Sequence, residues 1–134
     1  MTVIQHLNPE GLPRNPAFSQ AVSVSGPHKT VYVGGQNAVD AGGNVVGSGD
    51  IGAQSKQTYA NLRLVLGAAG ADLEDIVKWT IYVVEGQPIE PGLTAFQEAW
   101  GTRQNPPAIS VIFVASLGNP EFLVEIEAIA VVPE

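Results

Sequence analysis

Residues 123–132 read Leu-Val-Glu-Ile-Glu-Ala-Ile-Ala-Val-Val, a run in which two acidic residues alternate with apolar ones. A period of two is typical of a β-strand, whose successive side chains point to opposite faces of the sheet. One face of this strand carries Val124, Ile126 and further small or branched residues, which suit a surface packed against helices. We therefore expect Glu125 and Glu127 on the side of the sheet away from the helices.

Two explanations fit an acidic strand face. The carboxylates could protect an exposed edge strand, because charged side chains discourage pairing with other chains. Alternatively, the face could meet another subunit, since the two helices predicted for the chain can cover only one side of a sheet. The composition, 45% hydrophobic and 14% charged over 134 residues, is apolar for a small monomer and agrees with an oligomer. The strand pattern alone leaves both explanations open.

The whole chain, residues 1–134, is predicted to form one domain of the α+β class. Residues 8–18 hold three prolines and predict an ordered loop. The elements predicted after it are a hairpin of residues 21–25 and 30–34, a second hairpin of 37–40 and 44–46, a helix of 50–69, a strand of 75–84, a helix of 91–103, and strands of 108–117 and 122–132. This ββαβαββ order predicts a mixed sheet with two helices on one face.

The first helix has a clear start, stop and apolar stripe. Asp50 can cap its N-terminus, and Gly70 can adopt the positive φ of a helix stop. The stripe predicted to face the sheet comprises Tyr59, Leu62, Val65, Leu66 and Ala69, which leaves Gln54 on a polar face.

Charge and composition exclude several classes of function. Six basic and thirteen acidic residues give a net charge of −7, which opposes binding to nucleic acid or to an anionic membrane surface. The N-terminal segment carries no export signal and no apolar run is long enough to cross a bilayer, so we expect a cytoplasmic protein. There is no cysteine, and His6 and His28 are far apart and expected to be solvated, so neither a metal site nor a cofactor is predicted.

Several segments together resemble the RidA/YjgF family of reactive-intermediate deaminases over nearly the whole chain. They are Phe-Ser-Gln-Ala-Val at 18–22, Val-Tyr-Val-Gly-Gly-Gln at 31–36, Gln-Thr-Tyr-Ala-Asn-Leu at 57–62, Ala-Ala-Gly-Ala at 68–71, Asp-Ile-Val-Lys at 75–78 and Val-Glu-Ile-Glu-Ala-Ile-Ala at 124–130. The resemblance implies the chorismate-mutase-like fold and a homotrimer in which the sheets form a central barrel. It also implies three clefts between subunits, each binding a small molecule, with Glu125 orienting a water molecule and Glu127 as support.

The chain departs from the family pattern at the positions that bind substrate in its deaminating members. Ile109 stands where those members have an arginine that holds a carboxylate, Phe18 replaces a tyrosine, and Gly34 replaces a serine. The expected pocket is therefore apolar, formed by these three residues with Gly35 and Val111. Isoleucine offers no hydrogen-bond donor, so amino-acid-derived imino acids should be poor ligands. Arg103 could compensate only by reaching the pocket from a helix end.

Two functions remain open. In the first, the chain is a divergent RidA-like enzyme that hydrolyses a neutral enamine or imine to a carbonyl compound and ammonia, with Glu125 as acid and base. In the second, it is a non-catalytic trimer that binds a small metabolite or a protein. A ribonuclease role, a label sometimes attached to the family, agrees poorly with the charge of −7.

Overall fold

The computed structural model describes residues 1–134 and has two helices packed on one face of a mixed sheet, which confirms the predicted α+β class. In chain order the elements are β1 (Val3–Leu7), β2 (Ala21–Ser25), β3 (His28–Gln36), α1 (Ile51–Ala68), a 3₁₀ turn (Leu73–Asp75), β4 (Ile76–Val84), α2 (Glu90–Trp100), β5 (Ala108–Val114) and β6 (Val124–Pro133). No helix is both long and apolar enough to cross a membrane.

Strand β6 lies inside the four-stranded sheet, whose order is β3-β6-β4-β5. It is antiparallel to β3 and to β4, whereas β4 and β5 are parallel. Its buried residues Val124, Ile126, Ala128 and Ala130 belong to the same core as the buried side chains of both helices. Glu125 points to the opposite face, which we call the open face, as the two-residue period predicts.

Aromatic side chains form the centre of the core between the sheet and the helices. Trp79 of β4 packs edge-on against Phe96 of α2, with ring centroids 5.7 Å apart, and against Tyr59 of α1 at 6.0 Å. Trp100 stacks on Phe96 at 6.2 Å. Edge-to-face and stacked pairs add to the free energy that area burial provides, so this cluster fixes α2 to the sheet.

The N-terminal strands pair differently from the prediction. Residues 21–25 were expected to form a hairpin with residues 30–34, but β2 pairs with β1, a strand that was not predicted, and β3 pairs with β6. The glycine and proline between β2 and β3 indicate a change of direction, but they do not specify which strands share hydrogen bonds. The second predicted hairpin is only a turn with an isolated bridge between Val39 and Val45.

Helix α1 begins as predicted and buries Tyr59, Leu62 and Leu66 of the predicted stripe, but its buried face is shifted at two positions. The N–H of Ala53 donates to Asp50 Oδ1 at 3.1 Å, which is the expected cap. Val65 was predicted to be buried and is 36% exposed. Gln54 was predicted on the polar face and is fully buried. Helix α2 and β5 end earlier than predicted, at Trp100 and Val114.

Gln54 is buried because its side chain satisfies three backbone groups from two loops. Its Nε2 donates to the carbonyl oxygens of Gly47 at 3.2 Å and Glu121 at 2.9 Å, and its Oε1 accepts the N–H of Leu123 at 2.8 Å. Buried backbone groups need such partners, because leaving one unpaired is costly. This amide therefore ties the start of α1 to the segment that enters β6.

We expect Gln54→Leu to lower the free energy of unfolding by about 3 kcal/mol, since each buried group left unpaired costs about 1–3 kcal/mol. The measurement is urea denaturation at one protein concentration for all variants, which holds any contribution from subunit association constant. Gln97→Leu is the matched control, because Gln97 lies exposed on α2. Equal stability of the two variants would contradict the role of Gln54.

Candidate functional site

Glu125 lies against a glycine bulge at the end of β3. The β3–β6 register shifts between Val33 and Gln36, so Gly34 and Gly35 form a β-bulge. A Cβ atom on Gly35 would lie 2.7 Å from both Cδ and Oε2 of Glu125. The missing side chain at residue 35 therefore provides the space that the Glu125 carboxylate occupies.

The two carboxylates of β6 differ in their hydrogen bonds. The hydroxyl of Tyr82 donates to Glu127 Oε1 at 2.7 Å, whereas Glu125 has no hydrogen-bond partner in the chain. The hydrogen bond to the Glu127 carboxylate, with smaller contributions from desolvation and from the charges of Glu127 and Glu125, raises the pKa of the Tyr82 phenol. Glu127 is thus held in place, while the Glu125 oxygens remain available to a ligand or a water molecule.

Sequence reasoning missed the neighbours of these carboxylates on the open face. Lys78 Nζ donates to Ser110 Oγ at 2.9 Å, and Tyr82 is the register partner of Glu125. The alternation of β4 placed Lys78 and Tyr82 on one face, but nothing local indicated that β6 would be the neighbouring strand. Tyr32 adds a large side chain to this face and is 78% exposed.

A second region, on the helix side of the sheet, is an apolar cavity of about 370 Å³. Phe18, Ile109 and Val111 line it, together with residues of α1, α2, β4 and β6. Fourteen of its seventeen lining residues are hydrophobic and none is charged, so charged groups would lose hydration there without gaining a partner. We call this space the apolar cavity.

Two hydroxyl groups line the apolar cavity without a hydrogen bond to the protein. They belong to Ser55 and Tyr59, both buried on α1. Burial raises the pKa of Tyr59, so its phenol stays protonated and can act as a donor. A ligand in the apolar cavity could form hydrogen bonds with both hydroxyls.

The six residues expected at one pocket divide into two groups within a single chain. Phe18, Ile109 and Val111 line the apolar cavity, whereas the glycine bulge and Glu125 lie on the open face. The sheet separates the groups, because odd-numbered residues of β5 and of β6 point to opposite faces. Glu125 and Ile109 therefore do not face each other within one subunit, and any cleft that contains both must be formed by two subunits.

Arg103 does not line the apolar cavity. Its Nε donates to Glu74 Oε2 at 2.8 Å, and its Nη1 donates to the carbonyl oxygens of Ala99 and Trp100 at the end of α2. Cations are favourable at a helix C-terminus, where unpaired carbonyl oxygens accumulate. Within the chain Arg103 therefore binds the end of α2 and the turn before β4, and it does not compensate for the missing arginine in the apolar cavity.

Comparison with known proteins covers nearly the whole chain. Residues 12–132 match the family model described as Endoribonuclease L-PSP. A 2-iminobutanoate/2-iminopropanoate deaminase from Rattus norvegicus is 36% identical over 119 residues, which cover 86% of this chain and 80% of that protein. A RutC family protein from Pyrococcus abyssi is 32% identical over 113 residues, 84% of each chain.

Solved structures show the same relationship. A protein of unknown function from the conserved Rid protein family of Yersinia pestis superposes with a TM-score of 0.84 at 37% identity, covering 96% of this chain and 98% of that one. A putative endoribonuclease from Thermotoga maritima superposes with a TM-score of 0.70 at 30% identity, covering 94% and 92% of the two chains.

We expect Gly35→Ala to displace the Glu125 carboxylate by about 1 Å. The new methyl carbon would lie 2.7 Å from the carboxylate, so the carboxylate must move away to reach an ordinary van der Waals distance. Gly34→Ala is the matched control, since a Cβ there meets nothing within 4 Å. Crystal structures of the two variants give the measurement. An unmoved carboxylate in Gly35→Ala, or equal movement in both variants, would contradict the packing described above.

Proposed function

The chain belongs to the Endoribonuclease L-PSP family, the RidA/YjgF proteins, and on that basis we propose that it is a cytoplasmic homotrimer that hydrolyses a neutral enamine or imine in clefts between its subunits. The observation that carries this proposal is Glu125, an unbonded carboxylate held on the open face beside a glycine bulge. Relatives named 2-iminobutanoate/2-iminopropanoate deaminase support this class of reaction.

The division of the expected site residues between two faces supports an assembly of subunits such as the proposed trimer. The apolar cavity opens beside Val111 and Phe113, which are 54% and 47% exposed on the edge strand β5. An exposed apolar edge strand is a ready partner for another chain. If this edge packs against the open face of the next subunit, Glu125 of that subunit can close the mouth of the apolar cavity.

The ligand is inferred from the chemistry of the cavity wall. With Ile109 at the position of the family's arginine, no guanidinium is present in the apolar cavity to hold a carboxylate. A neutral ligand with an apolar body loses little hydration free energy on entering the apolar cavity. The Ser55 and Tyr59 hydroxyls can form hydrogen bonds with one polar substituent of that ligand. RNA is a poor candidate because the chain carries a net charge of −7.

Glu125 can serve both halves of the hydrolysis. A water molecule attacks the carbon of a protonated imine while Glu125 accepts a proton from that water, which gives a neutral carbinolamine. Glu125 then returns the proton to nitrogen, the C–N bond breaks and ammonia leaves, and the hydroxyl proton is lost to solvent as the carbonyl forms. An enamine enters this sequence after its carbon has taken a proton.

Non-catalytic binding is the second candidate, and the specific observation that favours it is Ile109. Without the arginine, the cleft could keep its shape and hold an apolar metabolite that remains unchanged. A ligand of this kind would raise the melting temperature by mass action on the folded trimer. Activity assays distinguish the two functions because only the first releases ammonia.

We expect the trimer to accelerate ammonia release from neutral imines produced in situ by an amine oxidase, and Glu125→Gln to lower kcat/KM roughly 100-fold, the usual size of a general acid–base contribution. Glu98→Gln is the matched control, because Glu98 lies exposed on α2. Light scattering should give three times the 14.0 kDa chain mass for all three proteins. No acceleration for any neutral imine would leave only the binding function, whereas full activity of Glu125→Gln would contradict the role of Glu125 as acid and base.

Ile109→Arg tests whether the rest of the cleft is competent. The new guanidinium should hold a substrate carboxylate in two hydrogen bonds, so we expect hydrolysis of 2-imino acids to rise at least tenfold over the native chain. The double variant Ile109→Arg with Glu125→Gln should lose that gain. A folded trimer of Ile109→Arg that remains inert toward imino acids would favour binding over catalysis.

A further inference from the structure

A polar cavity of about 410 Å³ lies beside the apolar cavity and shares a lining residue with it. Phe18 is the one residue that lines both spaces. The polar cavity is lined by His6, Asn8, Arg14, Asn15, Pro16, Phe18, Ser19, Asn105 and Pro106. None of these residues is acidic, although the chain has thirteen acidic residues against six basic ones. The wall therefore holds no negative charge that would repel an anion.

Arg14 is the positive charge of this wall and has no partner in the chain. The other two arginines form ion pairs, Arg63 with Asp72 at 2.9 Å and Arg103 with Glu74 at 2.8 Å. Arg14 forms neither an ion pair nor a hydrogen bond. Its planar guanidinium carries five N–H donors in a geometry that matches a carboxylate. In a chain with an excess of acidic residues, an unpaired arginine beside a cavity without acidic residues is available to an anion from solution.

Two asparagines in the wall keep their amide donors free. Asn8 Oδ1 accepts the N–H of Gln20 at 3.2 Å, and Asn15 Oδ1 accepts the N–H of Ala17 at 2.8 Å. Since each oxygen is bound to the backbone, each NH₂ group remains for another acceptor. Asn105 also lines the space, and its φ of +56° is an uncommon conformation for a residue other than glycine.

The imidazole of His6 is half-buried in the wall of the polar cavity and forms hydrogen bonds that the sequence did not indicate. Its Nδ1 lies 3.1 Å from the carbonyl oxygen of Pro106. A carbonyl oxygen only accepts, so Nδ1 carries the proton that it donates. The hydroxyl of Ser19 donates to the same oxygen at 2.6 Å. These contacts fix the ring and the strand-to-loop junction around it.

We propose that the polar cavity binds the carboxylate group of a small monoanion. Arg14 supplies a positive charge and can donate two parallel hydrogen bonds to a carboxylate, and the amides of Asn8 and Asn15 supply neutral donors. A single cation in a chain of net charge −7 compensates one negative charge, so a carboxylate fits better than a doubly charged phosphate. The site is separate from Glu125 and does not depend on hydrolysis.

The two histidines make an internal comparison possible in the native protein. The ¹H–¹³C signal of the imidazole Cε1 is followed at fixed pH and ionic strength while acetate replaces chloride. We expect a saturable shift of the His6 signal and none for His28, which lies in a turn with Nδ1 near the carbonyl oxygen of Gly26. Phosphate at the same ionic strength should bind at least tenfold more weakly than acetate.

Two variants test whether acetate binds at the wall of the polar cavity. Arg14→Gln should weaken acetate binding about tenfold or more, as expected for loss of a charge-assisted hydrogen bond. Lys56→Gln removes an exposed charge far from this wall in the sequence and should leave the affinity for acetate unchanged. A His6 signal that does not saturate, equal affinity in Arg14→Gln, or tighter binding of phosphate would each overturn the proposal. Because no outcome depends on ammonia release, failure here is distinct from failure of the hydrolytic function.

Discussion

Pairing of β6 on both edges is the constraint on which the rest of the structure depends. With β3 on one side and β4 on the other, β6 cannot rotate or slip by one residue without moving its apolar side chains out of the core. The period of two then places Ile126 under the helices and Glu125 on the open face. Both the aromatic core and the position of the candidate catalytic carboxylate result from this register.

The sequence was most informative where local chemistry determines the outcome. The faces of β6, the Asp50 cap and the family relationship were all predictable, because they depend on periodicity, on one hydrogen bond or on quoted motifs. The pairing of β2 and the burial of Gln54 were not, since each depends on partners far away in the chain. Gln54 illustrates the difficulty, because a polar residue is placed in the core by carbonyl and N–H groups that no local pattern reveals.

The candidate site could be predicted as a set of residues but not as a geometry. Phe18, Ile109 and Glu125 were all identified from the sequence as site candidates. Within one chain, however, the sheet separates Glu125 from Phe18 and Ile109. The proposed function joins them across two subunits, one supplying the apolar cavity and the next supplying Glu125. In that proposal a change at Ile109 alters which ligands enter, while Glu125 lies on a different face, near the hydrogen bond between Tyr82 and Glu127.

The interior position of β6 also has a consequence for the time course of folding. In chain order β6 follows the three strands with which it shares the sheet, and Gln54 must find a carbonyl group 67 positions away. Contacts of such long separation must overcome the entropy of closing large loops, which slows folding relative to helical domains of similar size. Until β6 arrives, β3 and β4 expose unpaired edges and apolar faces, and such partly folded chains are prone to aggregate.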